Sequence, residues 1–245
     1  MIKGIWTSAA GMCPRMFRQE IAANNLANVT TTGFKKERAY FKSMLDAELM
    51  AEKDRDKYSR LLEIEQVMTN YSQGLLEETH NPLDLAIVGD GFFAIQTPQG
   101  EMYTRNGNFK IDARSRLVTS ENMVALDDRN RPIYITEGKV FINEAGEVSI
   151  DDRIVGKLKI RDFPQPYQLQ KAANSLFTPI NNTVVSSPAT MYKVRHGFLE
   201  RSNVQPVEEM LNMIVYFRNY EADSRILMAQ DDTLRRAVND VGRVS

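Results

Sequence analysis

"ANNLANVTTTGFKK", residues 23–36, is the stretch on which the reading of this chain turns. Its first half is built from Ala, Leu and Asn. Its second half sets three threonines ahead of Gly-Phe and two lysines. β-Branched Thr30–Thr32 lose rotamer freedom in a helix. Asn28 tolerates the left-handed conformation that stops one, and Gly33 permits a sharp change of direction. The stretch therefore reads as the C-terminal end of a helix near Asn28, followed by a stiff, extended exit.

Upstream, the apolar positions Ile2, Ile5, Ala9, Met12, Met16, Ala23 and Leu26, with Gln19 as one polar member, step by three and four residues. That spacing is a coiled-coil seam. Pro14 interrupts it, since an interior proline removes a helix hydrogen bond at a cost of about 3 kcal/mol. A kink is expected, or two helical pieces with Pro14 in the first turn of the second.

The other end of the chain behaves alike. Met210, Met213, Phe217, Tyr220, Leu227, Leu234, Val238 and Val241 form an apolar row, joined by Ser224 and Asp231, and predict a long amphipathic helix. Val207, Leu211, Ile214 and Val215 widen its face at the start, enough to touch more than one partner helix. Pro206 suits the first helical turn, and Asn203 is the expected cap.

Between the ends the periodicity changes. Residues 43–70 are charged and are expected to be partly helical. From Leu83 the chain reads as β. "LDLAIVGDGFFAIQT" gives two short strands around Gly89-Asp90-Gly91, and "EMYTRNGNFKID" gives two more around Asn106-Gly107, a dipeptide suited to a two-residue hairpin. "KVFINEAGEVSID" is a third hairpin, around Ala145-Gly146. Pro164, Pro166, Pro179 and Pro188 divide the later region into loops and short strands.

The expected fold is α+β. Long terminal amphipathic helices pair as a coiled-coil-like inner layer, and a mainly antiparallel β domain lies between them in sequence. The expected divisions are 1–40 (helix and exit), 41–82 (charged connector), 83–197 (β domain) and 198–245 (C-terminal helix).

Composition excludes several classes. The 245 residues are 42% hydrophobic and 26% charged, which is neither disordered nor membrane-embedded. No apolar run approaches the ~20 residues of a membrane helix, and Met1–Ala10 lacks the pattern of a cleaved signal. One cysteine, Cys13, and two histidines, His80 and His196, leave little for a disulfide, a metal site or a His-based triad. No cofactor or metal is expected. Asp127-Asp128 and Asp151-Asp152 flank turn-like stretches and read as solvated turns. Gly89-Asp90-Gly91 has no following Lys-Ser/Thr helix and reads as a turn, not a phosphate loop. Lys35 and Lys36 lack interleaved aromatics beyond Phe34, so nucleic acid is not an expected partner. Asn28-Val29-Thr30 and Asn181-Asn182-Thr183 are chance matches to a glycosylation triplet. Residues 1–42 carry seven Lys/Arg against two Asp/Glu, and residues 43–82 carry four against nine. These blocks are either two solvated faces or complementary surfaces of neighbouring copies.

Three stretches carry a resemblance. "ANNLANVTTTGFKK", "NPLDLAIVGDGFFAI" with "YTRNGNFKID", and "GFLERSNVQPVEEMLNMIVYFRNYEADSRIL" resemble, in that order, the signatures of the bacterial flagellar rod and hook proteins. The resemblance implies an axial structural protein, not an enzyme. It implies export through the flagellar type III apparatus without a cleaved signal, and a place in the basal-body rod within the periplasmic space. Terminal helices of that family line a tube. The implied assembly interface is Ile5, Ala9, Met12, Met16, Ala23 and Leu26 with Met210, Met213, Phe217, Tyr220, Leu227, Leu234 and Val238. The implied chain exit is Asn25, Asn28, Thr32, Gly33 and Phe34. Partners are copies of the chain, other rod proteins including distal or hook-side subunits, and the export apparatus. A glycine-free, charged 43–70 stretch favours the proximal, FlgF-type rod protein over the distal, FlgG-type one. Two other classes stand beside this reading: a cell-wall glycan-acting enzyme, which needs two convergent carboxylates, and a secreted binding module, which leaves the apolar terminal seams unexplained.

Overall fold

The computed structural model describes residues 2–41, 64–136, 138–151, 153–172, 175–181 and 184–242; for 2–10, 41, 64–66, 237 and 240–242 it describes the backbone alone. The chain divides into two units. One holds residues up to Ala27, the strands at 37–41 and 64–68, and everything from Gln205 onward. The other holds 28–36 and 69–204.

In the first unit, helix α1 spans Ile2–Ala27 and helix α2 spans Pro206–Gly242. They run antiparallel. Arg15 pairs with Asp223 and donates to the Asn219 carbonyl at 2.7 Å, while Asn25 lies against Glu209 near the other end. Pro14 sits inside a single continuous α1 and does not start a second piece. Its ring is buried, and that burial offsets part of the missing hydrogen bond. At the start of α2, Pro206 takes the first position as expected, and Glu208 and Glu209 in the first turn complement the helix dipole. Asn203 is not the cap. The Gln205 carbonyl accepts from the Glu209 amide at 3.1 Å and opens the helix, which leaves the Asn203 side chain for other partners.

Strands Glu37–Phe41 and Ile64–Thr69 pair as a two-stranded sheet. Of the 43–70 stretch, expected to be partly helical, residues 64–69 are a strand, where Ile64, Val67 and Thr69 favour extended backbone. The rest of that expectation falls on 42–63, outside the described residues.

The second unit is β-rich and antiparallel. Its largest sheet joins nine strands among the described residues. The order runs Leu169–Lys171, Leu176–Pro179, Gly100–Thr104, Phe92–Thr97, Val124–Ala125, Leu117–Thr119, Phe109–Ile111. Ile160–Asp162 also pairs with Phe92–Thr97 and with Ser187–Pro188. Phe92–Thr97 is covered on both faces. Phe92 and Ala94 point into an aromatic cluster with Tyr103, Phe163 and Phe177. Phe93 and Ile95 point into an aliphatic core with Leu85, Ile87, Leu117 and Val148. Two-sided burial explains why "GFFAI" lacks polar alternation.

The hairpin around Ala145-Gly146 forms as expected, pairing Val140 with Ile150 and Ile142 with Val148. The hairpin around Asn106-Gly107 does not. Gly100–Thr104 pairs with Phe92–Thr97 and Leu176–Pro179, while Phe109–Ile111 pairs with Leu117–Thr119. Gly107 serves close approach instead: its carbonyl accepts from the Leu85 amide at 3.0 Å, and a Cβ there would fall on the Leu85 carbonyl oxygen. The strands either side of Gly89-Asp90-Gly91 also part company, since Leu85–Gly89 pairs with Tyr192–His196.

Candidate assembly surfaces

The chain exit is tighter than its composition implies. Asn28 is not left-handed; the left-handed step falls at Gly33, with φ +67°. Residues 28–33 form turns, in which the Thr31 amide donates to the Asn28 carbonyl at 3.2 Å, and the next strand starts at Glu37. Within the helical unit, Asn25 is buried. Its amide donates to the Glu37 carbonyl at 2.9 Å and its oxygen accepts from the Glu37 amide at 2.9 Å, so one side chain mimics a strand pairing at the end of α1.

Within the β unit the exit meets a buried clasp. Lys35 is 1% exposed, and its Nζ donates to Glu200 Oε1 at 2.6 Å and to the Ser72 carbonyl at 2.8 Å. Glu200 also accepts from the Gly74 amide at 2.9 Å and from Arg105 at 3.5 Å. Arg105 donates to the carbonyls of Ile87 (3.3 Å) and Gly89 (2.8 Å), and its guanidinium lies 5.1 Å from the Phe92 ring centroid. Burial holds the Lys35 ammonium below the usual lysine range; Glu200 opposes that shift and Arg105 adds to it. Backbone and amide bonds complete the clasp. Gly33 N donates to the Glu200 carbonyl at 2.8 Å, and Lys36 N to Asn203 Oδ1 at 2.7 Å. Asn203 Nδ2 reaches the carbonyls of Asn70 (2.8 Å) and Ser72 (3.0 Å). Phe34 is buried beneath Lys171, whose Nζ lies 3.6 Å from the ring centroid.

Three of the segments that build the clasp match known families. Residues 15–35 match the model described as flagella basal body rod protein, residues 86–150 the flagellar hook protein FlgE/F/G D1 domain, and residues 195–240 the flagellar basal body rod FlgEFG protein C-terminal. Lys35, Arg105 and Glu200 each come from a different one of these segments. A protein named flagellar basal-body rod protein FlgG from Borreliella burgdorferi is 33% identical, over 98% of both chains. The chain belongs to the flagellar basal-body rod protein family. FlgG of Bacillus subtilis is 31% identical over 98% of this chain and 99% of its own, and FlgF of Caulobacter vibrioides is 32% identical over 92% of each. Relatives of both names match at similar identity, so these comparisons do not choose between the FlgF and FlgG types.

In this rod-family chain the residues expected at the assembly interface fall into two sets. Met213, Tyr220, Leu227 and Leu234 recur every seven residues and are half-buried, as are Met12 and Leu26. Met210, Phe217 and Val238 are exposed, as are Met16 and Ala23. Ile5 and Ala9 lie on α1, in the part described by backbone alone. The covered side of α1 carries Pro14, Ala22 and Asn25, none of them a member of the expected seam. The open side of α2 is apolar over its first three turns, with Val207, Met210, Leu211, Ile214, Val215 and Phe217 all exposed.

Of the exit residues, Asn25, Gly33 and Phe34 are buried, while Asn28 and Thr32 are half-buried in the turn. Sequence reading missed Arg105 and Glu200, weighed Lys35 only as a nucleic-acid contact and took Asn203 for a helix cap. Each charge follows or precedes an apolar or turn residue within its own motif, but nothing in one motif announces its partner in another.

Of the paired carboxylates, Asp127 and Asp151 accept backbone hydrogen bonds. Asp127 is buried and accepts from the Arg129 amide at 2.9 Å, the Arg131 amide at 2.7 Å and the Arg131 guanidinium at 2.9 Å. Asp151 Oδ1 accepts from the Lys139 amide at 3.0 Å. Among the described residues, no group of three or more His, Cys, Asp or Glu could hold a metal ion, and no helix is long and apolar enough to cross a membrane.

Proposed function

We propose that this chain is a structural subunit of the bacterial flagellar basal-body rod. It polymerises through α1 and α2 with copies of itself and other rod proteins into a tubular shaft. It reaches the periplasmic space through the flagellar export apparatus. The observation that carries the reading is the first half of α2. Met213 is half-buried on one side, while six large apolar side chains from Val207 to Phe217 stand open on the other. A contiguous row of open apolar side chains that large marks a surface made for another protein, and neighbouring subunits supply its cover. The terminal seams then act as the assembly interface, coiled-coil-like in the assembled state, and residues 25–34 act as the chain exit from α1.

The test is Phe217→Asp. Phe217 is 49% exposed in the single chain, so the isolated variant is expected to melt within about 2 °C of wild type. Cells carrying it export the protein but build no complete rods and do not swim. Complete rods in basal bodies purified from that strain would overturn the proposal.

A further inference from the structure

The clasp has an order built into it. Residues 33–36 are made early in synthesis, yet their docking bonds run to the last strand of the β unit, Phe198–Glu200, and the segment just after it. Gly33 N binds the Glu200 carbonyl, Lys35 Nζ binds the Glu200 carboxylate, and Lys36 N binds Asn203 Oδ1. The same two side chains also hold 70–74, through the Gly74 amide and the carbonyls of Asn70 and Ser72. Before Glu200 arrives, docking Lys35 would bury it beside the Arg105 cation, and unpaired buried charges are strongly unfavourable. The approach is also sterically close, since a Cβ on Gly33 would fall on the Asn106 amide. Strand Phe198–Glu200 itself has Leu76–Glu78 as its partner, pairing Glu200 with Leu76.

We propose that Glu200 and Asn203 are a closing latch: segments 33–36 and 74–78 dock into the β unit together, in one late step, only once residues 198–203 are present. A chain delivered N-terminus first therefore keeps its helix exit open until its C-terminal segment has arrived. The latch is a property of the β unit and stands apart from the rod-subunit reading; only its use, delaying the setting of the exit until the whole chain has passed through an export channel, rests on that reading.

The test uses the full-length protein and amide exchange read at single residues. In pulse-labelled refolding of wild type, the Asn143 and Gly146 amides of the 140–150 hairpin gain protection first. Those of Gly33, Lys36 and Gly74 come later, in one shared, slower phase. Protection of Gly33 or Lys36 ahead of Gly74 would overturn the proposal. In native exchange, Glu200→Gln accelerates Gly33, Lys36 and Gly74 together by at least tenfold and leaves Asn143 unchanged; acceleration of Gly74 alone would also overturn it. Should Glu200→Gln unfold the whole β unit, Asn203→Ala decides. It keeps the charges and removes one tooth of the latch, and it is expected to accelerate Gly33 with Lys36. Acceleration of Lys36 while Gly33 keeps its wild-type rate would reject a joint latch. These readouts do not involve rods, so loss of motility with normal exchange, or the reverse, separates the latch from the assembly reading.

Discussion

Neutralising Glu200 is the sharpest perturbation of stability available in this fold. Glutamine keeps the shape and one acceptor at a side chain that is 0% exposed. It leaves Lys35 and Arg105 buried without their shared anion. Breaking a buried ion pair by removing one partner costs about 3–5 kcal/mol. The lower end applies here, because Lys35 retains the Ser72 carbonyl and Arg105 retains those of Ile87 and Gly89. With a urea slope of about 2–3 kcal/mol per molar, a loss of about 3 kcal/mol lowers the midpoint by roughly 1–1.5 M. Near-ultraviolet circular dichroism reports it, because Tyr71, Tyr103 and Tyr167 pack in the aromatic cluster of the same unit. The loss also depends on pH. Lys35 already sits below 10.5, and without Glu200 it sits lower still. Between that folded value and 10.5 the unfolded chain binds more protons, so stability rises with pH. The gap between wild type and Glu200→Gln therefore narrows as pH is raised from 7 toward 10. Adding Lys35→Met to Glu200→Gln is expected to cost less than the two single losses together. A midpoint shift below about 0.3 M at pH 7, or additive losses, would refute the buried-clasp account.

The same geometry sets other outcomes. Gly33→Ala places a side chain at φ +67° and onto the Asn106 amide; the left-handed conformation alone costs about 1–2 kcal/mol, and thermal melting of the β unit falls accordingly. Leu227→Asp puts a carboxylate on the half-buried row facing α1, so it weakens helix pairing and abolishes rods, whereas Asp232→Ala, on an exposed position, leaves swimming near wild type in soft agar. Asp127→Asn tests the turn at 127–131. Burial alone would raise the Asp127 pKa, but the Arg131 amide and guanidinium and the Arg129 amide hold it below its ordinary 3.8. The stability it contributes is present above about 3.8 and is lost as pH falls through its folded value, so the gap between wild type and variant in melting temperature closes only in strong acid.

Helices were legible at both ends because their signal is local and periodic. The rows from Ile2 to Leu26 and from Met210 to Val238 repeat at helical spacing, and the start of the second helix at Pro206 carries its own residue chemistry. The 140–150 hairpin was legible for the same reason, with Gly146 and its turn lying between its two strands. Strand partners elsewhere were not. Asn106-Gly107 has a hairpin's composition, yet the strands around it pair with residues on other segments, because hydrogen bonding and two-sided burial of Phe92–Thr97 outweigh the preference of one dipeptide. Likewise the seam's spacing was readable, but not which side of α1 would be covered; Pro14, Ala22 and Asn25 took that place. Ordered motifs in the sequence were enough to mark the family. That Lys35, Arg105 and Glu200 share one buried charge cluster was decided only in three dimensions, since an ion pair leaves no periodic trace when its members stand 165 and 95 residues apart.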